Sequence, residues 1–388
     1  MAGLDERICI CALNSIFGFK PQISLSLMRT LGSAAAVFEL DKDGLREIFG
    51  PYSTDAGRIG PQALDKAEAE LEKIRRAGAL FITIDDPAYP EALKSCPDPP
   101  VGLYYKGSDP PGDVFSCRPL VSIVGTRDLT PYGKEMCIRT VQALSKSSSP
   151  PAIVSGLALG VDAAAHWSAL SCGLPTIAVL PTGIDMVYPS QHTYIADRIV
   201  SSKGSALITD YPTDTPPLRP HFLRRNRIIA GLSRCTVLIE SKVKGGGMMT
   251  ARLAYSYERD VFALPGRIDD LHSQGCNVLI RQKIAEPLVE FPDFVKSIGL
   301  GKATLTETAD LESCIDSLPE NLRPQDKVRQ MKMIANCIRS DRGISIQEIC
   351  GKTGLDYSLV SSLTGILRAA GIIDMDLLQR CSINLKNT

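Results

Sequence analysis

Six short apolar runs recur through the middle of this chain and constrain its fold more than any other feature. Val121-Ser122-Ile123-Val124 stops at Gly125, Ala152-Ile153-Val154 at Ser155-Gly156, and Thr176 to Leu180 at Pro181-Thr182-Gly183. Ala206-Leu207-Ile208 stops at Thr209-Asp210, Thr236 to Ile239 at Glu240-Ser241, and Val261-Phe262-Ala263-Leu264 at Pro265-Gly266. Each run is rich in β-branched residues and gives way to a turn residue and then to a helical pattern. Strand, turn and helix repeated in this way build a parallel sheet with helices on both faces, joined by right-handed crossovers. The expected fold class is therefore α/β.

The flanks read differently. Residues 1–98 carry 11 basic and 15 acidic residues and look helical. Leu25, Leu27, Met28 and Leu31 precede Gly32, and Ala63 to Ala77 reads as a charged, Ala-rich helix stopped by Gly78. A proline-rich break, Cys96-Pro97-Asp98-Pro99-Pro100, leads into the core, taken as 99–298. A polar linker over 299–324 then leads to a block at 325–388. There, a helix from Lys327 to Arg339 is followed by two short helices across Gly354 and an apolar run from Gly371, a helix-turn-helix pattern with a candidate wing.

Composition narrows the classes. The chain has 388 residues, room for two or three domains, and its 44% hydrophobic and 22% charged residues are those of a water-soluble globular protein. No apolar run approaches a membrane span, and the N-terminus lacks the basic region of a signal peptide, so a cytoplasmic protein is expected. Twelve cysteines include no Cys-x-x-Cys pair, and the four histidines are not at ligand spacing, so neither a metal nor a disulfide framework is expected.

Ligands of open α/β sheets bind at the carboxyl ends of the strands. Those ends carry Gly125-Thr126-Arg127, Ser155-Gly156 and Gly245-Gly246-Gly247 with Thr250. Between them runs a basic island. From Arg219 to Arg252 there are eight Lys/Arg and a single acid, Glu240, in a chain whose net charge is zero. Glycine lets a phosphate reach the backbone amides, and arginine offers a bidentate fork. Arg219, Arg224, Arg225, Asn226 and Arg227 are therefore candidate phosphate contacts, with Phe222 beside them. The next helix is expected to start at Thr130-Pro131.

Nucleotide cofactors are disfavoured. The turn after the first strand, Gly125-Thr126-Arg127-Asp128-Leu129-Thr130, is not G-x-G-x-x-G, no P-loop is present, and Val154-Ser155-Gly156-Leu157 lacks the first glycine of a hydrolase elbow. Asp162 and His166 stand one helical turn apart, a spacing that suits a packing hydrogen bond near a buried Trp167 better than catalysis. Asp185 and Tyr188 are read as fixing the loop after the third strand.

Together these motifs carry a resemblance. Val124-Gly125-Thr126-Arg127, Ser155-Gly156-Leu157-Ala158-Leu159-Gly160-Val161-Asp162 with His166, Gly183-Ile184-Asp185 with Tyr188-Pro189, Phe222 with Arg225-Asn226-Arg227, Thr250-Ala251 and Pro265-Gly266 occur in this order. Over roughly residues 100–290 the chain resembles the DNA-processing protein A family (DprA, also called Smf). The resemblance implies an extended Rossmann core between an N-terminal helical module of sterile-alpha-motif (SAM) or helix-hairpin-helix type and a C-terminal winged helix. It implies a homodimer that binds single-stranded DNA, protects it and helps load the recombinase RecA in natural transformation, with no catalytic activity and no cofactor. On that resemblance Phe222 stacks a base.

Three departures from the family pattern stand out. A triple glycine replaces the usual Ser-Gly ahead of Thr250-Ala251, Lys283-Ile284 stands where the family often has Gly-Ala, and the helix Tyr357 to Ala370 carries one basic residue, Arg368. The last favours protein docking or weak DNA contact over duplex reading. Two alternatives remain open at this stage. One is a Rossmann nucleotide phosphoribohydrolase, for which Leu253 stands where a catalytic glutamate is needed. The other is a duplex-DNA regulator acting through the C-terminal block.

Overall fold

The computed structural model describes residues 4–301, 315–319, 324–341, 343–376 and 379–383. The chain divides into two compact units, Met1–Ala303 and Thr304–Thr388.

The first unit is built on a nine-stranded sheet. All six expected strands form: β3 (Leu120–Val124), β4 (Ala152–Ser155), β5 (Thr176–Val179), β6 (Ala206–Thr209), β7 (Cys235–Leu238) and β8 (Asp260–Ala263). They pair in parallel and are buried on both faces, apart from exposed Asp260, as their uninterrupted apolar character requires. Three more strands complete the sheet: β1 (Leu80–Thr83), β2 (Gly102–Gly107) and β9 (Glu286–Pro287). The order is β1-β2-β6-β5-β4-β3-β7-β8-β9, with β1 and β2 antiparallel to their neighbours.

That order fixes the ligand edge. From β3 the chain winds one way through β4, β5 and β6, then returns to place β7 on the other side of β3. The loops after β3 and β7 therefore diverge across a topological switch point, where a crevice opens at the carboxyl end of a doubly wound sheet. The helix Pro131–Ser145 leaves the β3 loop as expected, with Thr130 Oγ1 accepting from Gly133 N at 3.0 Å. Helices cover both faces. Met136 and Val141 of that helix pack with Val161 and Ala165 of helix Val161–Ser171 on one side. On the other, Ile228, Ile229 and Leu232 of helix Arg219–Leu232 pack with Met248 and Ala251 of helix Gly246–Ser256. Those isoleucines and Leu232 are core.

The N-terminal helices belong to the same unit. Glu6–Phe17, Pro21–Leu31 and Pro61–Arg76 share a core with Phe81 of β1 and Tyr104 of β2. Asn14 Nδ2 donates to the Asp210 carbonyl at 2.9 Å, and Glu70 accepts from Thr213 N and Oγ1 at 2.7 and 2.6 Å. The boundary drawn at 98/99 thus falls inside the sheet, because β1 lies before it and hydrogen-bonds to β2 after it.

The second unit has its own core. Helices Val328–Ser340, Ile346–Thr353 and Tyr357–Ala369 bury Met331, Ile334, Ile349, Leu363 and Leu367 against a small antiparallel sheet of β10 (Ile344–Ser345), β11 (Ile373–Met375) and β12 (Arg380–Ile383). Ser345 and Glu348 form a reciprocal capping box at the second helix. Most of the linker expected at 299–324 lies outside the described residues. No described helix is long and apolar enough to cross a membrane.

Candidate functional site

Three loops meet at the carboxyl edge, and backbone geometry brings them close. The loop after β3 is held by the loop after β7: Thr126 N donates to the Glu240 carbonyl at 2.7 Å. The buried Glu240 carboxylate accepts from Thr130 N at 3.1 Å and Thr130 Oγ1 at 2.5 Å. The loop after β4 docks through Val161 N to the Thr126 carbonyl at 3.1 Å. Gly160 makes this approach possible, since its φ is +77° and a Cβ there would lie 2.3 Å from the Thr126 carbonyl oxygen. Leu157 in the same loop also adopts positive φ, 55°, and its carbonyl accepts from His192 Nδ1 at 2.8 Å. A buried leucine held in this region marks a backbone over-determined by its surroundings.

Behind the loops lies a buried polar layer. Ser155 is buried and its Oγ donates to the Ile123 carbonyl at 2.7 Å. The Arg225 guanidinium is buried between the carbonyls of Gly156, at 2.6 Å, and Val179. A Cβ on Gly156 would lie 2.3 Å from Arg225 Nη1, so any other residue there must displace the guanidinium. Burial pulls the Arg225 pKa down to about 10. Burial likewise pushes the Asp162 carboxyl up, partly offset by Arg225, and holds His166 down to about 3. His166 Nδ1 lies 2.7 Å from Thr176 Oγ1. Thr176 donates its own proton to the Ile153 carbonyl at 2.8 Å, so the His166 nitrogen is the donor in that pair.

The arginine island divides. Arg224 and Arg227 both turn inward onto the fully buried Asp210 carboxylate, at 2.6 and 2.7 Å. Arg227 also donates to the Asp98 carbonyl. Arg224 lies over the rings of Phe19 and Tyr211, 4.6 and 5.0 Å from their centroids. Burial pushes Asp210 up, but the two guanidiniums more than offset it and hold the carboxyl below its ordinary range. The expectation that Arg224, Arg225 and Arg227 are phosphate contacts is therefore corrected. Their charges are engaged inside the protein by Asp210 and by backbone carbonyls.

What faces solvent is a different set. Arg219 is exposed and Phe222 half-buried, one turn apart on the helix, whereas Asn226, a further turn along the same stripe, is buried. Arg127, exposed in the β3 loop, lays its guanidinium 4.8 Å from the Phe222 ring centroid. Tyr188, from the loop after β5, is 41% exposed and meets the other edge of Phe222 at 5.6 Å. A cation, a half-buried ring and an exposed ring thus stand in contact at the edge. Beside them the helix Gly246–Ser256 begins at Gly245 without a side-chain cap, and Gly247 and Thr250 are buried against the core. Lys242 is drawn to Asp128 at 3.6 Å, and His272 Nε2 sits 3.1 Å from the same carboxylate. The hydrogen bond to Asp128 raises the His272 pKa.

Sequence reading missed Asp210 and Glu240. Asp210 directly follows β6, and Glu240, two residues past β7, is the lone acid of the basic window, which was the available signal. It also took Trp167 as buried, whereas it is 43% exposed. No hydrogen bond joins Asp162 to His166 among the described residues; Asp162 accepts from Ala158 N at 3.4 Å.

An extended Rossmann-type core with a glycine-rich switch point, and a guanidinium stacked on a half-buried aromatic there, defines a doubly wound α/β protein. The family model described as DNA recombination-mediator protein A matches residues 80–299, and the chain belongs to that family. The match begins at β1, in keeping with the sheet rather than with a boundary at 99. Protein Smf of Synechocystis is 40% identical over 229 residues, 59% of this chain and 56% of that protein. The putative DNA processing protein DprA of Mycobacterium tuberculosis is 30% identical over 324 residues, 80% of this chain and 79% of that one. Among solved structures, DNA processing protein A of Streptococcus pneumoniae aligns with a TM-score of 0.63 at 30% identity, over 76% of this chain and 98% of that one. That of Helicobacter pylori, solved for its single-stranded DNA binding mode, gives 0.50 at 31% identity, over 56% and 95%. The chain thus spans little more than half of the Synechocystis relative.

Proposed function

We propose that the chain binds single-stranded DNA, with little sequence preference, at the carboxyl edge of the sheet. The observation that carries this reading is the exposed contact of Arg127, Phe222 and Tyr188 beside the switch point. A ring flanked by a guanidinium offers a stacking face to any base and a fork to the adjoining phosphate, the combination that sequence-tolerant single-strand binders use. Arg127, Arg219 and Phe222 touch the strand, and the buried Asn226 supports the helix that carries two of them. Gly125, Thr126, Ser155, Gly156, Gly245, Gly246, Gly247 and Thr250 shape the cradle that admits a phosphate to the backbone. Arg224, Arg225 and Arg227 hold the helix in place.

The finer reading follows the family. The protein works in the cytoplasm as a homodimer, shields incoming strands and promotes RecA loading, and no chemical step is assigned to it. The second unit, with three helices and a three-stranded sheet, is read as a winged helix that docks protein or touches DNA weakly.

Fluorescence anisotropy with labelled single- and double-stranded oligonucleotides over a salt series, with and without RecA, tests this. Single-strand binding should weaken with salt, and removing Arg127 and Arg219 together should flatten the log–log slope by about 1.4, or ~0.7 per phosphate contact. Equal affinity for duplex, or wild-type slope in that variant, would overturn the assignment.

A further inference from the structure

Trp167 is the chain's only tryptophan, and the core does not use it. It sits on helix Val161–Ser171 with its ring 6.0 Å from that of Tyr194, itself 59% exposed, at the start of helix Thr193–Ser201. Arg198, one turn along, donates from its guanidinium to Tyr194 Oη at 3.3 Å and is exposed. An aromatic pair with a guanidinium at its margin repeats the chemistry of Tyr188, Phe222 and Arg127.

A short, fastened segment links the two sets. Tyr188 and Tyr194 are six residues apart, at most about 20 Å along an extended chain. The 3-10 turn Ser190–His192 lies between them and shortens that reach. The buried His192 ties this turn to the Leu157 carbonyl in the loop after β4. The second pair therefore stands on the rim of the same carboxyl edge.

We propose that Trp167, Tyr194 and Arg198 form a second stacking subsite for single-stranded nucleic acid. A strand held by Arg127 and Phe222 continues past Tyr188 and lays further bases on the indole and phenol, with a phosphate at Arg198. The inference rests on the reading of the first site given above. Stacking on flat rings is indifferent to base identity, as a second subsite on a sequence-tolerant path requires. Asp197 shares the exposed face with Arg198, so this subsite works more by stacking than by charge.

The lone tryptophan supplies the test. Oligodeoxythymidylates of increasing length are titrated into the full chain while Trp167 emission is followed, with occupancy read independently by competition against a labelled strand. The shortest oligomers that bind should leave the emission unchanged, and longer ones should quench it. Tyr194→Ala, which keeps the reporter, and Trp167→Ala should each weaken long oligomers about 5-fold or more, whereas Trp167→Phe should stay within about 2-fold of wild type. All three should bind the shortest oligomers normally. Emission untouched at every length that binds, with Tyr194→Ala at wild-type affinity, would overturn the second subsite and leave the first standing. A change of emission with protein concentration alone would assign the pair to an interface between copies, which also overturns it. No binding at any length, even at low salt, would remove both readings together.

Discussion

Asp210→Asn removes the one carboxylate that two buried guanidiniums share. Its Oδ2 accepts from Arg224 at 2.6 Å and from Arg227 at 2.7 Å, and none of its side chain reaches solvent. Asparagine keeps the shape but leaves two buried cations without a counter-charge. Breaking a buried ion pair by removing one partner costs about 3–5 kcal/mol. Two features point to the lower end. Arg227 retains the Asp98 carbonyl, and Arg224 keeps a small exposed margin and its contacts with Phe19 and Tyr211. A loss of about 3 kcal/mol in a unit of this size lowers the midpoint of thermal unfolding by about 5 °C. Urea unfolding followed by Trp167 emission isolates this unit, because the chain's only tryptophan lies in it. The pH dependence has a definite sign. The folded carboxyl titrates below its ordinary value of 3.8, so its contribution is present above that pH and is lost as the pH falls through the depressed folded value. The deficit of the variant should be full between about pH 5 and 7 and should shrink below about pH 4. A deficit under about 1 kcal/mol at neutral pH would refute the claim that Asp210 neutralises the inner arginines.

His166 should make the protein acid-sensitive in a higher window. It is neutral when folded, with its pKa held down to about 3, and titrates near 6.5 when unfolded. Stability should therefore fall as the pH drops below 6.5, by up to about 1.4 kcal/mol per unit. His166→Asn should lose about 2 kcal/mol less than wild type between pH 7 and 5, read as the shift in urea midpoint. Lys283 adopts φ +56° after helix Gln274–Arg281, the left-handed position that glycine favours. Lys283→Gly should raise stability by up to about 1 kcal/mol, and a lower melting temperature would contradict this. Glu240→Ala should speed amide exchange at Thr130, which loses its carboxylate acceptor, and weaken single-strand binding several-fold although Glu240 touches no strand; unchanged exchange at Thr130 would show that the β3 loop does not depend on the carboxylate.

The parallel strands were legible because a strand buried on both faces must be apolar throughout and must stop abruptly at a turn. β1 and β2 escaped that logic. Leu80-Phe81-Ile82-Thr83 follows a helix with only a glycine-bearing turn between, and Gly102-Leu103-Tyr104-Tyr105-Lys106-Gly107 ends in residues that read as a loop. Their partners lie far away in sequence, so no local period marks them as antiparallel additions. The cradle was legible for a similar reason, since glycines after strands are chosen by close backbone approach. The arginines were legible as charge but not as placement. Asp210 lies nine residues before Arg219, outside the basic window, and only the packing of β6 against the helix brings it under Arg224 and Arg227. Trp167 was misread because an aromatic residue on a core helix is usually buried, and helix position alone does not say which stripe meets the sheet.

The division of the arginines is the central claim, and one paired comparison tests it most directly. Arg127→Ala and Arg227→Ala are each carried through an oligonucleotide salt titration and a urea melt. Arg127→Ala should weaken single-strand binding, lower the salt slope by about 0.7 and leave the urea midpoint unchanged. Arg227→Ala should lower the urea midpoint and leave the salt slope of the folded protein as in wild type. The reverse pattern, with a phosphate's worth of slope lost from Arg227→Ala and none from Arg127→Ala, would contradict the account.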